Sequence, residues 1–236
     1  MQHDLEKEIA LLVRAHEEEI GNVDQKAIDQ IGRAYGDVVR ASKGKWVERL
    51  TEHVIYLAWL GLGGNIARIK VNSNHYKIPM RQEYVKALDK EVREYILTSI
   101  GEYSYPAQVD KQVFIDDQFV MGIECKAYTE NAMLKRILVD FHLLKSAFPD
   151  ISSYLFQLES QLGGDYREHN EVTYGSASSH TLMSYFPDVD LQIFTFLEGE
   201  RKVDRPIHKA EFYKPLKKER VVAAIDVLAK DLTQYV

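Results

Sequence analysis

Cysteine is nearly absent from this chain of 236 residues: Cys125 stands alone, so no internal disulfide is available and the fold must rest on packing, as suits a reducing cytoplasm. Long apolar runs are missing as well. No stretch approaches the ~18 apolar residues of a spanning helix, and Asp4, Glu6 and Glu8 stand where a secretory signal carries positive charge. A cytoplasmic location without membrane contact is the expectation. Positive charge is not in excess, with 30 Lys and Arg against 36 Asp and Glu and a formal net charge of −6. Such a balance excludes coating of nucleic acid by bulk charge but leaves room for a local cationic groove. The 8 His show no zinc-like spacing. The cluster Gly61-Leu62-Gly63-Gly64 follows a helical pattern and does not join a strand to a helix, so it reads as a helix stop and not as a phosphate-cradling loop. No nucleotide cofactor is expected.

What remains is a composition with 45% hydrophobic and 28% charged residues, enough for one domain with a substantial core. Leu5, Ile9, Leu12, Val13 and His16 recur at helical spacing, predicting a helix over 4–20 that stops at Gly21-Asn22. Asp24 can cap a second helix carrying Ile28, Ile31, Tyr35, Val38 and Val39, and Ser42-Lys43-Gly44 leads into a third with Val47, Leu50, Val54, Leu57 and Ala58. A short strand at 66–71 and a helix over 83–100 follow. Val113, Phe114 and Ile115 then precede a turn at Asp116-Asp117-Gln118. Residues 119–127 are apolar almost without break, the mark of a central buried strand. A helix over 130–147, a strand at 154–158, a polar loop at 163–179, a strand at 191–197 and a helix at 221–232 complete the order. Helices first, then strands separated by a helix, argue for an α/β core.

Glu124 and Lys126 interrupt the central strand. Ionisable groups there cost several kcal/mol unless paired or bound to metal. With a side-chain period of two they share one face, while Ile123 and Cys125 point to the other. If Ile115 pairs with Phe119 across the turn, counting outward sets Asp110 opposite Glu124, whereas Asp117 lies in the turn itself. Two adjacent carboxylates repel unless a cation sits between them, and hard oxygen ligands with open positions suit Mg²⁺.

Asp110 followed by Gly122-Ile123-Glu124-Cys125-Lys126 resembles the PD-(D/E)xK nuclease superfamily, which includes most type II restriction endonucleases. The resemblance covers roughly residues 44–160. The helix wording Lys45-Trp46-Val47-Glu48-Arg49-Leu50-Thr51-Glu52 is similar to that of the methyl-directed mismatch-repair nicking endonuclease and its restriction relatives, and places Glu52 at their helix acid. It implies a restriction-endonuclease-like fold, a mixed central sheet flanked by helices, behind an N-terminal helical region. It further implies Asp110, Glu124, Lys126 and Glu52 as catalytic residues, with Asp110, Glu124 and the main-chain carbonyl of Cys125 holding Mg²⁺. Val109 departs from the family's usual Pro, and a shorter Asp-to-Glu interval in the relatives keeps Asp117 as a rival ligand. Glu48, one turn from Glu52, is its rival.

The implied activity is Mg²⁺-dependent, sequence-specific cleavage of double-stranded DNA leaving 5′-phosphate and 3′-hydroxyl ends. Symmetric cleavage is most simply done by a homodimer. A repair nickase, a junction-resolving nuclease and an inactive DNA-binding scaffold are the alternatives. The whole of 1–236 is expected to form one nuclease domain: a helical region to 43, a core over 44–160, and a DNA-recognition or dimerisation part from 161. Residues 201–220 hold eight cations against three acids. Arg201, Lys202, Arg205 and Lys209 within them are the candidates for DNA contact.

Overall fold

A computed structural model of the chain describes residues 2–29, 35–164, 166, 175–202, 204–205 and 210–236. Two long helices come first, α1 over Gln2–Asp29 and α2 over Tyr35–Gly61. The sequence predicts three. Gly21-Asn22 lies within α1 and Ser42-Lys43-Gly44 within α2, which therefore runs through residues 43 and 44 without a break. An interior glycine costs about 1 kcal/mol against alanine. Packing outweighs that for α2, whose Trp46, Val47, Leu50, Val54 and Ile55 are all buried. The expected stop is observed where α2 ends, with Gly63 in the left-handed region at φ 84° and the Gly64 N–H donating to the Trp59 carbonyl.

The remaining strands are β1 (Ile69–Asn72), β2 (Tyr76–Pro79), β3 (Ser104–Ala107), β4 (Lys111–Ile115), β5 (Gln118–Thr129), β6 (Ser152–Ser160) and β7 (Leu191–Thr195). The helices are α3 (Gln82–Ala87), α4 (Lys90–Thr98), α5 (Asn131–Ala147), α6 (Ala177–Ser184) and α7 (Lys218–Leu232). Helix α3 and helix α4 replace the single helix expected over 83–100, because Leu88 turns extended at φ −72°, ψ 150°. The four-residue strands β2 and β3 pair with each other between β1 and β4 and were not expected, being too short to show a period. Helix α6 begins inside the stretch expected to be loop.

The main sheet has the order β1-β4-β5-β6-β7, antiparallel from β1 to β5 and parallel from β5 to β7. It is the mixed, helix-flanked α/β sheet expected from the sequence. One face packs Val113, Met121, Ile123, Cys125, Phe156 and Phe194 against α2 and α7, with α1 outside them. The other packs Phe119, Leu155 and Ile193 against Leu134, Ile137 and Phe141 of α5. Gly122 lets α5 come close, since a Cβ there would lie 3.0 Å from the Phe141 ring.

The β4–β5 hairpin turns more tightly than expected. Asp116 and Asp117 sit at φ 49° and 65°, the type I′ pair of left-handed residues, and Ile115 pairs with Gln118. A bulge follows: Phe114 pairs with Phe119 but Val113 pairs with Met121, leaving Val120 over. The extra residue returns the register to Lys111↔Ile123, so Asp110, just before β4, comes opposite Glu124 as counted from the sequence.

His16 joins three segments. It is 1% exposed, its Nδ1 accepts from Trp46 Nε1 at 2.9 Å, and its Nε2–H donates to the Lys214 carbonyl at 3.2 Å. Burial, outweighing that carbonyl and aided by Lys43, pulls its pKa down to about 4. Protonation would also break the Trp46 bond. The native state then binds fewer protons than the unfolded chain between pH 6.5 and 4, so stability falls as pH drops through that window, by up to about 3 kcal/mol. Chemical denaturation of the wild type and His16→Asn from pH 7 to 4 checks this. The variant is expected to be weaker at pH 7 but to have a shallower slope, and parallel slopes would refute the assignment.

Candidate active site

Strand β5 outlasts its neighbour. Because β4 begins at Lys111, residues 124–129 have β6 on one side and, among the described residues, no strand on the other. Asp110 fills the first place along that open edge. Its Oδ2 accepts from the Cys125 N–H at 2.7 Å, giving a partner to an amide that the ladder no longer reaches. The same oxygen is 3.3 Å from Lys126 Nζ, and Lys126 Nζ is 2.5 Å from Glu124 Oε1. Asp110, Glu124 and Lys126 are thus brought together. Glu124 and Lys126 point to the α5 face, and the Cys125 side chain is buried on the opposite one.

Electrostatics follow from this crowding. Burial first, then the neighbouring Asp110 charge, raises the Glu124 carboxyl to about 6 against the pull of Lys126. For Lys126 burial works downward, but Glu124 and Asp110 together outweigh it and the pKa is raised. The ammonium stays charged, which favours an electrostatic and orienting role over proton abstraction. Burial, reinforced by Asp110, pushes the Cys125 thiol well up, so it is no nucleophile.

Two clefts meet at the triad. On one side lie Gly44, Lys45 and Glu48 of α2 with Tyr128 and Met133, around a volume of about 320 Å³. On the other, Tyr105, Gln108, Arg136 and Asp140 border about 390 Å³. Tyr105 donates to Asp140 at 3.1 Å, and Asp140 adds to the field that raises Glu124. These groups were missed in the sequence. Asp140 carried a signal as a lone acid following Met133 and Ile137 on an apolar helix face, but Tyr105 and Gln108 carried none.

The rivals are separated by position. Asp117 is at the hairpin tip, 2.6 Å from Lys70, and Asp116 is held there by Arg68 at 2.7 Å. Both are at the far end from Glu124. Glu48 lines the cleft beside Asp110, and its pKa is raised by burial and then by the Asp110 charge. Glu52, at the resembled helix acid, is engaged by Lys111 at 2.6 Å.

The cationic segment divides. Arg201 lies 4.0 Å over the Tyr128 ring and donates to Gln161 at 2.9 Å, next to the triad, while Lys202 and Arg205 are exposed. Lys209 lies outside the described residues. Lys214 meets the buried Glu159 at 3.3 Å, Lys217 meets Glu198 at 2.6 Å, and Arg220 is 6% exposed and donates to the Thr195 carbonyl. Ser179 donates to the Leu162 carbonyl and contacts Asn131, a structural role.

The donor set fits a hard divalent cation. Asp110 and Glu124 offer carboxylate oxygens, the Cys125 carbonyl emerges from the same strand edge as its N–H, and an ammonium already lies between the carboxylates. Among the described residues no group of three His, Cys, Asp or Glu side chains is poised as a ligand set, so main chain, water or substrate oxygens must complete the shell.

A mixed sheet bearing an Asp and a Glu-x-Lys at the open end of its central strand defines a restriction-endonuclease-like protein of the PD-(D/E)xK class. No protein-family model matches the chain. It is 54% identical over 211 residues to the type II restriction enzyme DdeI of Desulfomicrobium norvegicum (strain DSM 1741 / NCIMB 8310), covering 89% of this chain and 88% of that enzyme. The chain belongs to the type II restriction endonucleases.

Glu48→Gln is expected to slow DNA cleavage more than Glu52→Gln, since only Glu48 borders the cleft beside Asp110. Single-turnover rates on a cleavable duplex decide between the two, and the reverse order would assign the role of helix acid to Glu52.

Proposed function

We propose that this chain is a sequence-specific DNA endonuclease that hydrolyses both strands of a recognition site with Mg²⁺, leaving 5′-phosphate and 3′-hydroxyl ends. The observation that carries the reading is Lys126 Nζ between Glu124 and Asp110, 2.5 and 3.3 Å away, at the open edge of the central strand. Asp110, Glu124 and the Cys125 carbonyl would hold the ion. Bound there, Mg²⁺ supplies positive charge against a non-bridging oxygen of the scissile phosphate. Lys126 orients the attacking water and offsets the charge that builds on the phosphoryl oxygens. Glu48 closes the α2 side of the pocket.

A protein of net charge −6 must gather cations locally to hold a duplex. Arg201, fixed on Tyr128 beside the triad, and the exposed Lys202 and Arg205 supply them, with Lys209 completing the set. Cleavage of both strands is the work of a cytoplasmic homodimer whose two-fold axis coincides with that of the site.

Glu124→Ala and Lys126→Ala are each expected to reduce plasmid cleavage by about 10²–10³ or more while leaving a folded protein. Reactions with and without Mg²⁺, followed by sequencing of the ends, test the reading. Discrete fragments with 5′-phosphates support it, open circles alone would make the protein a nickase, and untouched plasmid would leave only a DNA-binding scaffold.

Replacing Arg201, Lys202, Arg205 and Lys209 together is expected to weaken duplex binding in Ca²⁺ and to lower the salt slope by about one unit per lost phosphate contact. Unchanged affinity and slope would remove these residues from the interface.

A further inference from the structure

Lys126 stands where a divalent cation has to go. The carboxylates that would hold Mg²⁺ already hold its ammonium, at 2.5 Å from Glu124 and 3.3 Å from Asp110. Two cations cannot share that position, so Lys126 must withdraw as the ion enters. In a partly buried pocket the ammonium then needs another acceptor.

The neighbouring strand provides one. Lys126 and Gln157 are Cα partners in the parallel β5–β6 ladder, so their side chains leave the same face of strands about 4.8 Å apart. Gln157 is 0% exposed. Its Nε2 donates to Thr195 Oγ1 at 3.1 Å, but its Oε1 is buried without a hydrogen-bond partner. Buried carbonyl oxygens are rarely left so, and each exception calls for a reason.

We propose that Gln157 Oε1 receives the Lys126 ammonium when a divalent cation occupies Asp110 and Glu124, which makes Gln157 a positioning residue for the cleavage reaction. The inference rests on the reading of the site under Proposed function. A neutral acceptor suits the task. It holds the ammonium by a charge-assisted bond yet leaves its positive charge uncancelled for the water and the phosphate. Glu48 borders the same pocket, but its carboxylate would cancel that charge.

Cation affinity tests this without any turnover. Mn²⁺ binding to the DNA-free protein, read from the electron paramagnetic resonance of the free ion, is expected to weaken roughly tenfold in Gln157→Met, the size of one lost hydrogen bond to a charged group. The same substitution in a Lys126→Ala background should change nothing, because the competing ammonium is gone. Gln157→Glu, which restores an acceptor, should bind at least as tightly as the wild type. If the methionine variant does not fold, Gln157→Asn, with its shorter reach, carries the same expectation. Unchanged affinity in Gln157→Met, an equal loss in both backgrounds, or a loss that follows Glu48→Gln instead would overturn the proposal while leaving the metal site standing. Wild-type binding indifferent to Asp110→Ala would overturn the site and the proposal with it.

Discussion

Strand β5 has twelve residues and β4 only five, and this mismatch shapes the candidate active site. A backbone amide in a sheet interior must find a partner, and where β4 has not yet begun a side chain has to supply it. Asp110 does so for Cys125. A residue that caps a strand edge in this way is held in place by the backbone it satisfies, and its carboxylate is thereby fixed beside Glu124. Helix α2 on one face and α5 on the other both reach this edge, so two clefts open onto it. Glu124 and Lys126 take their placement from the strand, and Asp110, in the connection before β4, takes its own from the amide that it accepts.

Half-burying two carboxylates and an ammonium at the end of a central strand is unfavourable unless each charge has an opposite neighbour. Without an ion, Lys126 fills that role for both acids. The resting arrangement therefore gives each acid a cationic neighbour but leaves the cluster one negative charge in excess. Glu124 expresses the tension, its carboxyl raised to about 6 by burial even with an ammonium in contact. The scaffold tolerates the site because the opposite face of the same strand, through Ile123 and Cys125, belongs to a continuous apolar core.

Much of the geometry of the candidate site was legible because strand alternation is strict. Glu124 and Lys126 had to share a face, and no tertiary detail could change that. The pairing of Asp110 with Glu124 was reached through two departures that offset each other. The turn is one residue tighter than the sequence suggested, and the bulge at Val120 adds the residue back. Type I′ turns favour Asn-Gly and Asp-Gly, so Asp-Asp gave little notice of one. Glu48 and Glu52 lie on one helical stripe, and period alone cannot choose between them. Their surroundings differ through Lys111, a residue on another element that holds Glu52. The insertion carrying Tyr105 and Gln108 was invisible for a different reason, since four-residue strands are shorter than the window over which alternation can be recognised.

The cationic run after β7 shows how charge patterning in sequence can merge cations that have internal partners with cations that stay exposed. Lys214, Lys217 and Arg220 are committed to Glu159, Glu198 and the Thr195 carbonyl, and their task is to secure the approach to α7. Among the described residues the first part of the run, from Arg201 to Arg205, presents the exposed Lys202 and Arg205 and an Arg201 pinned against the Tyr128 ring. A guanidinium fixed by stacking loses less freedom on meeting a phosphate or a base than a loose lysine does. An acidic protein can therefore engage a polyanion with few cations, provided that they are placed where the strand must pass. The acids elsewhere then work against non-specific binding. For an enzyme that must find one sequence among many, such a division of charge would serve the need for weak binding everywhere else.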